Sequence, residues 1–154
     1  MKRGLIGLGL AAALALSATV PAPTAHAQDK EVQLKLSLWI PPAHPLVPSY
    51  QAWAADIEKA SGGTVKSTVF PSEQLGKAFD HYDMARDGIA DFAYVNPGYQ
   101  PGRFPIIAAG ELPFLMANAK DGSAAFDSWY RKYAATEMKD VHFCLAFVHD
   151  PGTF

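Results

Sequence analysis

Apolar and polar residues alternate along residues 32–39, and this two-residue period predicts a β-strand. Apolar residues then recur at spacings of three and four over residues 50–57, which predicts a helix. A second strand is predicted over residues 65–70, a second helix over residues 78–87 and a third strand over residues 91–95. This order of elements, with short connections and apolar strands, is typical of a parallel sheet covered by helices.

The second part of the chain is less regular. Residues 101–113 predict an irregular segment with a helical turn near residues 106–109, and a stripe of aromatic residues predicts a third helix over residues 120–133. A nearly continuous apolar run over residues 141–148 predicts a fourth, buried strand. The predicted fold class is therefore α/β, a single lobe in which a mainly parallel sheet is flanked by helices.

The N-terminal segment has the features of a secretory signal peptide rather than of the fold. Lys2 and Arg3 precede a charge-free run over residues 5–20, and a small-x-small tripeptide ends at Ala27. We therefore expect residues 1–27 to direct export to the periplasm, with cleavage after Ala27. The apolar run is shorter than the roughly 20 residues of a spanning helix, so the mature protein is not expected to be embedded in the membrane.

Composition and charge narrow the choice of partners. The chain has 154 residues, 49% of them hydrophobic and 18% charged, which is typical of a globular protein. Its 13 basic residues include Lys2 and Arg3, so the mature residues 28–154 carry 11 basic residues against 15 acidic ones, a net charge of −4 with histidine neutral. With no cluster of lysine or arginine, nucleic acid and anionic membrane surfaces are poor partners.

The motifs of known enzyme sites do not occur in the chain. It has no G-x-S-x-G elbow, phosphate-binding loop, dinucleotide-binding loop, H-E-x-x-H or C-x-x-C. Cys144, the only cysteine, lies within the predicted fourth strand, where a thiol is typically an inert core residue. His142 and His149 are an odd number of residues apart, so a strand would place them on opposite faces. We therefore expect no enzyme activity, no metal site and no cofactor.

The carboxyl ends of the predicted strands are where an open α/β sheet binds its ligands. The residues that follow these ends are mostly aromatic, imidazole and amide side chains, a mixture that suits a small polar ligand held by stacking and hydrogen bonds. The candidate ligand-binding residues are Trp39 and His44 after the first strand, Gln74 after the second, Tyr94 and Asn96 at the third, and His149 and Phe154 after the fourth.

Several of these candidates have an equally simple structural interpretation. Trp39 and Tyr94 could cover the end of the core, and Asn96, which precedes Pro-Gly, could only turn the chain. Gln74 lies in a loop with Ser72 and Glu73 that could cap the following helix.

The sequence does not assign a single role to two further polar residues. Arg103 could be a solvated loop charge, a partner of Glu111 or a ligand contact. His81 lies on the predicted second helix, where we expect it at the surface.

Four short motifs in order resemble one family. They read F-P-S-E-Q-L-G-K, R-D-G-I-A-D-F-A-Y, P-G-R-F-P and G-E-L-P-F-L, and with the signal peptide they resemble the DctP-type extracytoplasmic solute-binding proteins of TRAP transporters over residues 34–154. The resemblance implies a two-lobed, hinge-closing periplasmic receptor. Such a receptor captures a small organic acid, commonly a carboxylate, and delivers it to a membrane permease.

The resemblance also suggests roles for individual residues. Trp39 falls at the end of the first strand, and Tyr94 and Asn96 fall at the two positions of the third strand that line the family's ligand cleft. Phe154 stands where some members have a basic contact. The arginine that pairs with the carboxylate belongs to a second lobe, and Arg103 lies in a different loop. Because members are about twice as long, residues 28–154 are expected to be an N-terminal lobe with the second lobe missing.

Two alternatives to this receptor remain at the level of the sequence. One is a small secreted α/β hydrolase that uses His149 and Asp150, although no nucleophile motif accompanies them. The other is a non-catalytic binding module that functions as a single lobe.

Overall fold

A computed structural model describes residues 30–149 of the chain. The expected signal peptide, Asp150 and Phe154 therefore lie outside the described residues. The strands are β1 (Val32–Ser37), β2 (Val65–Phe70) and β3 (Phe92–Ala93), and the α-helices are α1 (Leu46–Ala60), α2 (His81–Arg86) and α3 (Ala119–Glu137). Short 3-10 helices span Ala78–Asp80, Pro97–Tyr99 and Ile107–Glu111.

The three strands form one parallel sheet in the order β2-β1-β3. At its carboxyl end Ser37 is paired with Phe70 on one side and with Ala93 on the other. Because β1 is the central strand, its end is the most buried part of the sheet, and Leu36 and Ser37 have no exposed surface. The expectation of a mainly parallel sheet flanked by helices is confirmed.

Helix α1 follows the predicted amphipathic pattern and packs against β2 through residues that include the buried Val47 and Ala54. Its end is set by two glycines with positive φ, Gly62 at +63° and Gly63 at +85°. The Gly63 amide donates to the Glu58 carbonyl at 2.8 Å, which satisfies one of the last carbonyls of the helix.

The predicted fourth strand is wrong for the described residues, because residues 141–148 form no regular secondary structure and pair with no strand. Instead, side chains of α3 bond to their backbone, in a set that we call the α3 ladder. Ser123 Oγ accepts from the Val148 amide at 3.1 Å, and Asp127 Oδ1 accepts from the Ala146 amide at 2.8 Å. Arg131 donates to the carbonyl of Cys144 at 2.7 Å.

The α3 ladder changes the burial of this segment as well. Ala146 is buried against α3 and its core, whereas the side chain of Leu145 is 58% exposed. Cys144 is exposed, which contradicts the expected core position. The segment is therefore half-buried, because its backbone is satisfied by side chains of a helix rather than by two neighbouring strands.

Helix α3 ends at a partly buried polar junction. The carboxylate of Glu137 accepts from the backbone amides of Ile106 and Ile107 and from the hydroxyl of Tyr130, the last at 2.7 Å. Tyr130 is fully buried. We call the apolar cluster around this junction the α3 core; its buried residues are Tyr82, Phe104, Ile107, Phe126, Tyr130, Ala134, Met138 and Ala146.

Candidate ligand-binding site

The carboxyl ends of β1 and β3 bring two of the predicted site residues together. The backbone amide of Tyr94 donates to the carbonyl of Ser37 at 3.0 Å, which continues the pairing of the two strands past Ala93. Trp39 lies two residues beyond Ser37. Its ring stacks on that of Tyr94, with centroids 5.2 Å apart and planes inclined by 16°.

Further rings surround this pair, and we call the set the aromatic cluster: Trp39, Tyr50, Tyr94, Tyr99 and Phe147. Tyr99 meets the ring of Trp39 edge-on at 5.4 Å, and Phe147 stacks on Tyr94 at 5.5 Å with planes 19° apart. Tyr50 reaches the cluster from α1, 6.3 Å from Tyr94. Offset stacked and edge-to-face contacts of this kind are favourable and fix the rings in place.

One polar atom of this cluster is buried without a hydrogen-bond partner among residues 30–149. The indole Nε1 of Trp39 is buried and has no hydrogen-bond partner among the described residues. Burial raises the pKa of Tyr50, and the neighbouring phenol of Tyr94 raises it further. Burial also raises the pKa of Tyr94, and the neighbouring phenol of Tyr99 adds to that effect. The phenols are therefore neutral hydrogen-bonding groups, and the indole is a buried donor that a bound acceptor would satisfy.

The cluster also covers part of the core. Trp39, Tyr50 and Tyr94 pack on a small buried group of Leu38, Ile40 and Val47. The two interpretations of Trp39 and Tyr94 are therefore compatible: their rings cover the core and at the same time form the floor of the sheet edge.

Asn96 turns the chain at this edge. Its side-chain oxygen accepts from the amide of Gly98 at 3.0 Å and so caps the short helix Pro97–Tyr99. Asn96 therefore turns the chain, as one of its two interpretations expected, and its contact with a ligand stays a prediction. The turn is followed by Tyr99, which lies against Trp39.

The other predicted residues that the structure describes, His44, Gln74 and His149, are not part of the aromatic cluster. The Nδ1 of His44 accepts from the amide of Leu46 at 3.2 Å, so the ring holds the start of α1. Gln74 is exposed. Its neighbour Glu73 does the capping, since Glu73 accepts from the amide of Ala78 at 2.8 Å. His149 is exposed at the end of the described residues, and Phe154 lies outside them.

Arg103 has a structural partner that differs from the one considered. Its guanidinium makes two bonds of 2.7 Å to the carboxylate of Asp83. It also lies over the ring of Tyr82, 4.4 Å from the centroid. This bidentate pair lowers the pKa of Asp83, and Glu111 takes no part in it.

His81 is not at the surface, as its helical position had suggested, but fully buried. Its Nδ1 lies 2.9 Å from the carbonyl oxygen of Tyr94 and its Nε2 lies 3.4 Å from Ser37 Oγ. Sequence reasoning therefore missed His81, and it also left out Tyr50 and Phe147. For Tyr50 the signal was present, because its place on the apolar face of α1 turns it towards the sheet.

A parallel sheet with polar and aromatic side chains at its carboxyl edge defines an α/β ligand-binding lobe. Residues 37–153 match the family model of bacterial extracellular solute-binding proteins, family 7, also called DctP. The chain belongs to this family. Its members are solute receptors outside the cytoplasm rather than enzymes.

Solved structures of TRAP solute-binding proteins share the fold. One from Rhodoferax ferrireducens, in complex with copurified benzoate, is 35% identical with a TM-score of 0.73 over 78% of this chain. One from a marine metagenome, specific for aromatic acid ligands and bound to 3-hydroxybenzoate, is 34% identical with a TM-score of 0.75 over 79% of this chain. One from Bordetella bronchiseptica, with bound (R)- and (S)-mandelate, is 34% identical with a TM-score of 0.70 over 78% of this chain.

The match covers only part of these relatives. The chain spans 38% of the Rhodoferax protein and 39% of each of the other two. A curated relative, the outer membrane transporter protein TsaT of Comamonas testosteroni, is 29% identical over 102 residues, which are 65% of this chain and 30% of TsaT. Within residues 30–149 no helix is both long and apolar enough to cross a membrane. Those residues also contain no group of three His, Cys, Asp or Glu side chains that could hold a metal ion.

Proposed function

We propose that the protein is a periplasmic receptor that binds an aromatic carboxylate and delivers it to the membrane permease of a TRAP transporter, without catalysing a reaction. Residues 1–27 are its export signal, cleaved after Ala27, and residues 28–154 form its N-terminal lobe. The observation that carries the proposal is the aromatic cluster at the carboxyl edge of the sheet, since three relatives with this fold are bound to benzoate, 3-hydroxybenzoate or mandelate.

Within this site the ligand ring contacts Trp39 and Tyr94, and a polar ligand atom accepts from the orphan indole donor of Trp39. Asn96 adds an amide at the turn. We expect four further residues to contribute contacts to the ligand: His44, Gln74, His149 and Phe154. The ligand carboxylate pairs with an arginine of the second lobe, as the family resemblance implies.

Thermal unfolding of the full-length gene product in the presence of candidate acids tests this proposal. Benzoate, 3-hydroxybenzoate and mandelate are expected to raise the midpoint, because a ligand at one hundred times its Kd adds about 2.7 kcal/mol to the free energy of unfolding. Succinate, which carries carboxylates but no ring, is expected to raise it much less. A protein that responds to succinate and to none of the aromatic acids would contradict the proposed ligand class.

A matched pair of tryptophan variants connects the response to the site. Trp39→Ala is expected to weaken benzoate binding about tenfold or more, because it removes a stacking ring and a donor. Trp53→Ala is the control, since Trp53 is 41% exposed on α1 and does not touch Trp39 or Tyr94. Equal loss of affinity in the two variants, measured by calorimetry, would place the ligand elsewhere.

A further inference from the structure

The buried side chains of His81 and Ser37 lie next to the backbone of Tyr94 in the aromatic cluster, and neither has a role in the proposed function. His81 and Ser37 are both fully buried, at the start of α2 and the end of β1. Together with the backbone of Tyr94 they form a closed set of contacts: Tyr94 amide to Ser37 carbonyl at 3.0 Å, His81 Nδ1 to Tyr94 carbonyl at 2.9 Å, and His81 Nε2 to Ser37 Oγ at 3.4 Å. Three elements of the fold therefore meet at one imidazole.

The partners of the ring determine its protonation. A carbonyl oxygen can only accept, so Nδ1 of His81 carries the proton and donates to Tyr94. In the neutral ring Nε2 then has a lone pair, which the hydroxyl of Ser37 faces. Burial lowers the pKa of His81. Hydrogen bonds to the backbone of Tyr94 and Gly76 and the charges of Glu73 and Asp80 act in the opposite direction.

These contacts fix the backbone from which the site residues project. The amide of Tyr94 is held by Ser37 and its carbonyl by His81, so both of its backbone polar groups are engaged. Asn96 lies two residues further on. The stacking of Tyr94 on Trp39 therefore depends on a backbone that two hydrogen bonds hold, and the bond from His81 is the one that a side chain supplies.

We propose that His81 is a positioning residue of the ligand site, whose Nδ1–H holds the Tyr94 carbonyl and thereby keeps the Tyr94 ring against Trp39. The inference rests on the proposed function, because it requires Tyr94 to contact the ligand. A binding site is most effective when its contact residues are held in place before the ligand arrives, and a second layer of hydrogen bonds supplies this restraint.

Two amide substitutions separate positioning from simple stabilisation. In His81→Asn the side-chain amide nitrogen occupies the place of Nδ1 and can still donate to Tyr94. In His81→Gln it reaches the place of Nε2 near Ser37, so the Tyr94 carbonyl loses its donor. Benzoate affinity of the full-length protein is expected to stay within about threefold in the asparagine variant and to fall about tenfold in the glutamine variant.

Tyr130→Phe is the control for stability, because it removes a buried hydrogen bond to Glu137 in the α3 core. It is expected to lower the melting temperature and leave benzoate affinity unchanged. Should the glutamine variant fail to fold, His81→Leu, which also lacks a donor for Tyr94, provides the same comparison.

The outcomes distinguish this inference from the function on which it rests. If the unmodified protein binds neither benzoate nor the other aromatic acids, the proposed function fails. If the unmodified protein binds benzoate and the asparagine and glutamine variants bind it equally well, only the positioning role of His81 is overturned. A loss of affinity in Tyr130→Phe as large as that in His81→Gln would also overturn it.

Discussion

The α3 core and the aromatic cluster both contain polar aromatic side chains in apolar surroundings, but they differ in what those polar atoms contact. In the α3 core the hydroxyl of Tyr130 donates to Glu137, which also accepts from two backbone amides. In the aromatic cluster the indole N–H of Trp39 is buried with no partner among residues 30–149. The first arrangement stabilises the fold, and the second leaves a donor that the proposed ligand would satisfy.

This difference explains why the aromatic cluster is the better candidate for binding although the other region also has an apolar cavity. That cavity, about 330 Å³ between the Ile107–Glu111 turn and α3, is lined only by apolar residues. They are Ala109, Leu112, Leu115, Met116, Ala125, Phe126 and Trp129. A polar ligand needs a few convergent polar groups as well as apolar surface, and of these two regions the aromatic cluster is the one that combines them.

The largest expected effect concerns the α3 core, where the polar atoms have hydrogen-bond partners. Glu137→Leu would leave the Tyr130 hydroxyl and two backbone amides without their acceptor, so we expect the free energy of unfolding to fall by about 3 kcal/mol or more. Urea denaturation measures this loss. Glu58→Leu on the exposed face of α1 is the control and should change stability by less than about 0.5 kcal/mol. Similar losses in both variants would mean that the Glu137 junction is not special.

A smaller effect compares the same substitution at a serine whose hydroxyl has a hydrogen-bond partner and at one whose hydroxyl has none among the described residues. Ser123→Ala removes a rung of the α3 ladder and is expected to cost about 1 kcal/mol. Ser67→Ala on β2 removes a buried hydroxyl that has no partner among the described residues, so its cost should be close to zero. Denaturation midpoints of the two variants provide the measurement. A greater loss in Ser67→Ala would show that its hydroxyl is satisfied after all.

A further effect, smaller because opposing causes act on one group, concerns pH. Burial lowers the pKa of His81 from its ordinary value of 6.5, so below that pH the unfolded chain binds more protons than the folded one. The free energy of unfolding is therefore expected to decrease as the pH falls below about 6.5 and to level off once the folded imidazole is protonated.

His81→Asn should reduce this pH dependence, because asparagine does not titrate. The control is His142→Asn, which replaces an exposed histidine in residues 141–148 and leaves His81 in place. Stability curves measured between about pH 5 and 8 decide the matter. An unchanged curve in His81→Asn would mean that His81 is not the titrating group.

The sequence was a good guide wherever structure depends on local period. The strand over residues 65–70 was predicted with the bounds that the structure shows, and the first strand and helix were correctly placed. Their signals, alternation and helical spacing bounded by proline or glycine, lie within a few residues of each other. Trp39 and Tyr94 were predicted at the carboxyl ends of two parallel strands, which topology brings to one edge, and there their rings stack.

Two wrong predictions, the fourth strand and the exposed position of His81, both concern contacts between residues that are distant in sequence. The bonds that convert residues 141–148 from a predicted sheet strand into a partner of α3 join residues that are up to 25 positions apart. The contact between His81 and Ser37 spans 44 positions. The sequence pattern of a helix does not indicate which distant carbonyl will accept a hydrogen bond from a histidine. The burial of His81 could therefore not be predicted from its neighbours in sequence.

The α3 ladder joins a helix to a non-helical segment, and the spacing of its bonds along the two is nearly the same. Its rungs leave the helix every four residues, about 6.0 Å along the axis, and bond to the alternate residues Cys144, Ala146 and Val148. Two residues of extended chain span about 6.6 Å, so a helix and an extended chain stay nearly in step over three rungs. One step further towards the end of α3, residue 135 is an alanine, whose methyl group neither donates nor accepts a hydrogen bond.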